Sequence, residues 1–264
     1  MRWLMIGLLL VCQMALAQPD PFPNIAASYL VQVNGTPLWE KQTSRRLPPA
    51  SLTKLMTALL VLDDYNPKAV AEVSLRASRE TGKRLGLKRG ERFHVEDLMR
   101  SMLISSDNDT CHVLADFVGG NHKQFVKMMN RRAQQLGLRN THFSNACGHD
   151  APDHYSTAHD LAVLANEALK HRLITDFVAK ESAHIYAIGG KRNFRLQNGN
   201  ALIGRYPGAR GLKTGYTSKA GKCLIAYAER DGSRVLLVML NAPNRWWDAV
   251  DLLDLAFAQA RHGP

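Results

Sequence analysis

Apolar positions alternate with polar ones near both ends of the chain and recur at helical spacing between them. Residues 27–33 alternate and are rich in Val, Tyr and Leu; Asn34-Gly35 follows, and residues 36–40 alternate again. This predicts a hairpin closed by a two-residue turn, because Asn-Gly accepts the positive φ values such a turn demands. Pro48-Pro49 stops the basic stretch that follows. Leu55, Met56, Leu59 and Leu62 then recur at helical spacing and predict a buried helix opening on Ser51 as first or capping residue. Residues 79–93 hold three glycines and many basic residues, and predict a loop or a short ribbon. Helices are predicted at 95–104, where Val95, Leu98, Met99, Met102 and Leu103 share a face, at 111–117, at 123–136 and at 157–169. Ser105-Ser106-Asp107-Asn108 breaks the first from the second, and Gly137 closes the third. Residues 140–155 have no period and predict a structured loop. Residues 172–212 are mixed, with one strand at 182–188. Two strands, 222–229 and 234–240, meet at Asp231-Gly232, and a helix at 246–260 closes the chain. The pattern is α+β: one antiparallel sheet from both termini, the Ser51 helix packed on it, and a helical subdomain inserted. The sheet parts fall at about 25–62 and 180–262 and the helical part at about 63–170 of one domain spanning 24–262.

Composition adds a compartment. Arg2, a short apolar run and Ala15-Leu16-Ala17 read as a secretory leader, residues 1–17, cleaved to leave Gln18. The run is too short for a comfortable membrane span, and Val11 before Cys12 is not the small residue a lipoprotein signal requires. Release into the periplasm or medium, without a stable membrane anchor, is the expectation. The chain carries 34 Lys and Arg against 23 Asp and Glu, a net charge of +11, and the leader takes away only Arg2. A basic exported chain points to an anionic wall or membrane surface and away from nucleic acid. Three cysteines stay after cleavage, Cys111, Cys147 and Cys223, so at least one thiol is free; Cys111 with Cys147 is the pair to test first.

Three short motifs carry the candidate chemistry. Ser51 and Lys54 are three apart, so both project from the same face of a first helical turn. A lysine that has lost its charge can take a serine proton and make a nucleophile. Ser-x-x-Lys occurs by chance about once in a chain of this length, so alone it reads as a capped helix. Ser106-Asp107-Asn108 sits at the helical break, where a serine can relay a proton and a carboxamide can hold a substrate amide; alone it reads as a turn or cap. Lys213-Thr214-Gly215 leads into a strand. There Lys213 can hold an anionic group, Thr214 can donate to a carboxylate, and Gly215 lets a substrate backbone lie close.

The three in this order form the signature of penicillin-binding proteins and class A β-lactamases. The chain resembles the low-molecular-weight penicillin-binding proteins that are serine D-alanyl-D-alanine carboxypeptidases and endopeptidases. Residues 49–57, Pro-Ala-Ser-Leu-Thr-Lys-Leu-Met-Thr, look like that family's nucleophile segment. Met128, Asn130, Arg132, Ala133, Leu136 and Gly137, then Thr141-His142-Phe143, look like its middle helix and exit. His154-Tyr155-Ser156-Thr157-Ala158 and Leu212-Lys213-Thr214-Gly215-Tyr216-Thr217 match further segments, so the resemblance covers about residues 25–260. It implies the transpeptidase-like fold and a D-Ala-D-Ala carboxypeptidase working on peptidoglycan stem peptides. In it Ser51 is the nucleophile, Lys54 the base with its pKa lowered by Lys213, and Ser106 the relay to the leaving amine. Asn108 holds the substrate amide, Thr214 the terminal carboxylate with Arg245 as a further candidate, and the N–H groups of Ser51 and Tyr216 the oxyanion. It implies β-lactam antibiotics as covalent inhibitors, and neither metal nor other cofactor.

Departures leave room. Asn145-Ala146-Cys147-Gly148-His149 replaces the family's Asn-x-x-Gly-Leu, which bears on substrate preference. Asp107 is more β-lactamase-like, but no Glu-x-x-Leu-Asn segment follows to deacylate. With the sequence ending at Pro264, the expectation is a chain lacking the C-terminal β domain of membrane-bound carboxypeptidases and resembling the endopeptidase subgroup that cleaves D-Ala–meso-diaminopimelate cross-links. Two other classes stand beside these: a metallopeptidase built on His149, His154 and His159, whose spacing of five stacks no helix face, and a non-enzymatic basic wall-binding protein.

Overall fold

The expected hairpin forms from β1 (Ser28–Val33) and β2 (Thr36–Lys41), with Asn34 and Gly35 at φ of 51° and 87°. The structure, a computed structural model, describes residues 22–63, 66 and 68–262, so the leader and its cleavage site lie outside the described residues. A 3-10 turn, Ala50–Thr53, leads into α1 (Lys54–Asp63). Ser51 is therefore inside a tight turn. It is not a helix cap, and no side chain caps this turn. A small ribbon pairs β3 (Val70–Glu72) with β4 (Arg92–His94), and the glycine-rich segment between them is mostly loop. The helices α2 (Val95–Ile104), α3 (Asn108–Gly119), α4 (His122–Gln135) and α5 (Ala158–Leu169) follow the predicted periods. Asn121 caps α4 and Thr157 caps α5, each side chain accepting an N–H three residues on.

Two elements carry no clear sequence signal. The helix α6 (Arg172–Val178) has seven residues, too few to show a period, and β5 (Ser182–Tyr186) finds its partner in β6 (Asn193–Gln197). The chain ends with β7 (Ala209–Thr217), β8 (Gly221–Arg230), β9 (Ser233–Leu240) and α7 (Arg245–His262).

One five-stranded antiparallel sheet runs β2-β1-β9-β8-β7, so β1 from the start of the chain pairs with β9 from its end. Successive residues of a strand face opposite sides, and the two sides build different cores. Leu30, Ile225, Val238 and Leu240 face α1 and the helical part. Tyr29, Val31, Leu224, Leu237 and Met239 face α7, with Leu252, Leu253 and Phe257. The last strand, β7, has one open edge, and the 3-10 turn lies against it.

Candidate active site

Ser51 and Lys54 meet as their spacing predicts. The Lys54 amine lies 2.9 Å from Ser51 Oγ, 2.8 Å from Asn108 Oδ1 and 2.8 Å from the Cys147 carbonyl. Lys54 is fully buried, while Ser51 keeps part of its surface open. Burial is the leading cause that lowers the Lys54 pKa from 10.5 to about 7; Lys83 pushes the same way, and Asp107 and Glu80 oppose it. Desolvation therefore does the work that sequence reasoning assigned to Lys213. A neutral amine has two N–H donors and one lone pair. If Asn108 and Cys147 take the two hydrogens, the lone pair is left facing the Ser51 hydroxyl. Two fixed acceptors thus orient the base as well as satisfy it.

The nucleophile turn is held under constraint. Ala50, just before Ser51, has φ of 48°, a conformation unusual for a residue with a side chain. Gly148 crosses this point with φ of 89°, and a Cβ there would lie 2.0 Å from the Ala50 carbonyl oxygen. On the other side a Cβ on Gly215 would lie 3.0 Å from the Ser51 nitrogen, so β7 runs close past the nucleophile. Below, Ser144 N–H donates to His154 Nδ1 at 3.0 Å, which leaves the ring proton on Nε2 to donate to Thr53 Oγ1 at 2.8 Å. Burial lowers the His154 pKa to about 4, in keeping with this neutral structural role.

Ser106 faces this pair from the break between α2 and α3, with φ of 68°. Its hydroxyl accepts from Lys213 Nζ at 2.8 Å, and Lys213 also donates to the Thr214 carbonyl at 2.9 Å. Burial first, and Lys54 next, push the Lys213 pKa well below its usual value. Asp107 turns away from the cleft: Ser101 Oγ donates to its carboxylate at 2.8 Å, and burial raises its pKa. Asn108 donates through Nδ2 to the Thr81 carbonyl at 2.7 Å, leaving a second amide hydrogen for a ligand.

Thr214, Gly215 and Tyr216 follow Lys213 along β7. Arg245 Nη1 donates to the carbonyls of Gly215 and Cys223, at 2.7 and 3.0 Å, bracing β7 on β8. The Gly215 carbonyl thus faces β8, so by alternation the Tyr216 N–H faces the open edge beside Ser51. The structure therefore brings Ser51, Lys54, Ser106, Asn108, Lys213, Thr214, Gly215 and Tyr216 around one cleft and sets Arg245, the first residue of α7, behind β7, with its guanidinium spent on the strand carbonyls. The three histidines weighed as a metal centre disperse. His149 lies 3.1 Å from Glu80 and His159 3.4 Å from Asp160, while His154 serves Thr53.

Sequence reasoning missed several contributors. The Cys147 carbonyl is backbone and has no residue signature. Asp109 accepts the N–H groups of Leu85, Gly86 and Leu87 at 3.2, 2.8 and 3.1 Å, ordering the loop whose Thr81 holds Asn108. Asn145 Oδ1 gathers the N–H groups of Cys147, Gly148 and His149 at 3.2, 2.7 and 2.9 Å. The Asn145 side-chain turn was the recoverable signal, since Asn with Gly three residues on marks such a loop.

With this geometry in place, comparison with known proteins places the site in context. The family model described as D-alanyl-D-alanine carboxypeptidase matches residues 16–244. The chain is 36% identical to the D-alanyl-D-alanine carboxypeptidase DacF of Bacillus subtilis over 87% of this chain and 61% of that protein. It is 34% identical to DacB2 of Mycobacterium tuberculosis, with 80% and 74% covered. It thus spans about three fifths of the Bacillus protein's length. Among solved structures, the Streptomyces K15 DD-transpeptidase superposes with a TM-score of 0.83 at 30% identity, covering 89% of this chain and 98% of that one.

Proposed function

This chain belongs to the D-alanyl-D-alanine carboxypeptidase family, and from that premise we propose that it is a serine hydrolase cleaving the terminal D-Ala-D-Ala bond of peptidoglycan stem peptides. The observation that carries the reading is the buried Lys54 amine, 2.9 Å from Ser51 Oγ, with its pKa lowered to about 7. Such a base is half neutral at neutral pH, where it is needed.

Ser51 Oγ attacks the carbonyl of the penultimate D-alanine and its proton passes to Lys54. The Ser51 and Tyr216 N–H groups receive the oxyanion that forms. Ser106, hydrogen-bonded to Lys213, passes its proton to the departing amine and regains one from the Lys54 ammonium, so Lys54 is neutral again as free D-alanine leaves. Thr214 holds its carboxylate on the way. Water then enters, Lys54 takes its proton, and hydrolysis of the ester returns Ser51. A β-lactam presents a strained amide to the same serine and leaves a slow acyl-enzyme. The basic charge and the leader-like first residues support a reading in which this work is done in the periplasm or wall space, after cleavage near Ala17.

Incubation with a stem pentapeptide and with a cross-linked dimer, read by mass, tests the proposal. Release of D-alanine from the pentapeptide is expected. Monomers from the dimer alone would instead assign a cross-link endopeptidase with the same site. Neither product, with no penicillin label on Ser51 of folded protein, would leave a non-enzymatic wall-binding protein.

A further inference from the structure

The two acceptors that take the Lys54 hydrogens come from segments far apart in the chain. Asn108 lies in the first turn of α3, and Cys147 lies in the loop after α4. A disulfide joins these two segments: Cys111, three residues beyond Asn108 on the same helix, is bonded to Cys147 itself. We infer that the Cys111–Cys147 disulfide is a positioning staple for the catalytic base, fixing the separation of the two acceptors that aim the Lys54 lone pair at Ser51. This inference rests on the acyl-enzyme reading above.

Three ties close a triangle around the amine. Lys54 to Asn108 ties α1 to α3. Thr57 Oγ1, one turn along α1, donates to the Ala146 carbonyl at 2.7 Å and ties α1 to the loop. The disulfide is the third side, between the loop and α3. Packing supports this side, since Cys111, Ala146 and Cys147 are all buried, but it does not bond the loop to α3. A cavity of about 580 Å³ backs the loop, lined by Ala146 and Cys147 together with Glu80, His112 and His149. The loop's own hydrogen bonds, gathered on Asn145, fix its shape but not its distance from α3. Its other outward ties run from His149 to Glu80 at 3.1 Å and to Asp150 from Thr217 Oγ1 and the Lys219 N–H at 2.6 and 3.3 Å, all through loop side chains that are partly exposed or exposed and none to α3. An N–H···O bond weakens steeply once it is lengthened or bent. A drift of the loop would therefore free one Lys54 hydrogen and let the lone pair turn from Ser51. The opened loop would also admit water to a base whose low pKa comes from burial.

Two paired variants test the staple, Cys111→Ser/Cys147→Ser and Cys111→Val/Cys147→Ala, the second refilling the space without the bond. Acylation of Ser51 by a fluorescent penicillin is followed against pH and normalised to folded protein. Both variants are expected to acylate about 10- to 100-fold more slowly, with the rising limb moved to higher pH by about one unit. A role in stability alone would lower Tm and leave the rate per folded molecule and the limb unchanged, and that result overturns the inference. Recovery by the Val/Ala pair overturns it too, since packing would then suffice. If neither pair folds, the wild type is reduced with dithiothreitol, which is oxidised to its cyclic disulfide as two thiols form. With mass confirming both thiols, an unchanged profile again overturns the inference. No labelling of the untouched wild type overturns the acyl-enzyme reading and the staple together; labelling with an unaltered variant profile overturns only the staple.

Discussion

Two serine–lysine pairs face each other across the cleft, and they differ in how they are held. Ser51 and Lys54 share one turn, and the base has two further acceptors that orient it. Ser106 and Lys213 lie 107 residues apart, one on a helical break and one on a sheet edge, joined by a single side-chain contact of 2.8 Å. The first pair is rigid because it is local; the second exists only when the helical part and the sheet are assembled. That difference suits their roles. A nucleophile and its base must keep one geometry through both halves of the reaction. A proton relay has only to reach the leaving amine once.

The largest expected effect breaks the first pair. Ser51→Ala should abolish covalent labelling by a fluorescent penicillin, and mass mapping of the wild-type adduct should place it on the Ser51 peptide. Lys54→Met should come next, slowing acylation by about 10²- to 10⁴-fold, the contribution typical of a positioned general base. It should act oppositely on stability. Between pH 7 and 10.5 the unfolded chain keeps a proton that folded Lys54 has released. The stability tied to this site thus climbs as pH rises through that window and is lost as pH falls back to about 7. The variant lacks that climb, so its Tm at neutral pH should exceed the wild type's.

Breaking the second pair should cost less. Ser106→Ala removes a relay that a water can partly replace, and a loss of about 10- to 100-fold in D-alanine release is expected. Acylation by a β-lactam should suffer less than turnover of the peptide, because a strained amide needs less help from the leaving group. Equal loss on both substrates would place Ser106 in the nucleophile's machinery instead. Gly148→Ala sharpens the comparison from the structural side. A Cβ would meet the Ala50 carbonyl at 2.0 Å, and φ of 89° disfavours any side chain. A loss of about 1–3 kcal/mol in unfolding experiments, with slower acylation, is the expected outcome.

The same contrast explains what could be read from the sequence. Ser51 and Lys54 are legible because a helical turn fixes the distance between residues three apart. The hairpins are legible from Asn34-Gly35 and Asp231-Gly232, where turn chemistry dictates register. Ser106 and Lys213 could be suspected only from the order of the motifs, since no local rule brings them together. The opening of α1 was misjudged as a capped helix because Ser51 Oγ is engaged by Lys54 and not by the backbone. The lowered pKa of Lys54 was foreseen, but its leading cause is burial, which a sequence does not display. The Cys147 carbonyl and the loop-ordering Asp109 were invisible for a related reason: backbone atoms have no letter in the sequence, and a buried carboxylate looks like any other aspartate.

The central claim is that a buried, neutral Lys54 activates Ser51. The rate of penicillin acylation at Ser51, measured on folded wild-type protein across pH 5 to 9, tests it most directly. The account predicts a single-proton rise centred near the Lys54 value of about 7, absent in Lys54→Met. A rate that is flat across this range, or a rise that persists unchanged in Lys54→Met, would contradict it.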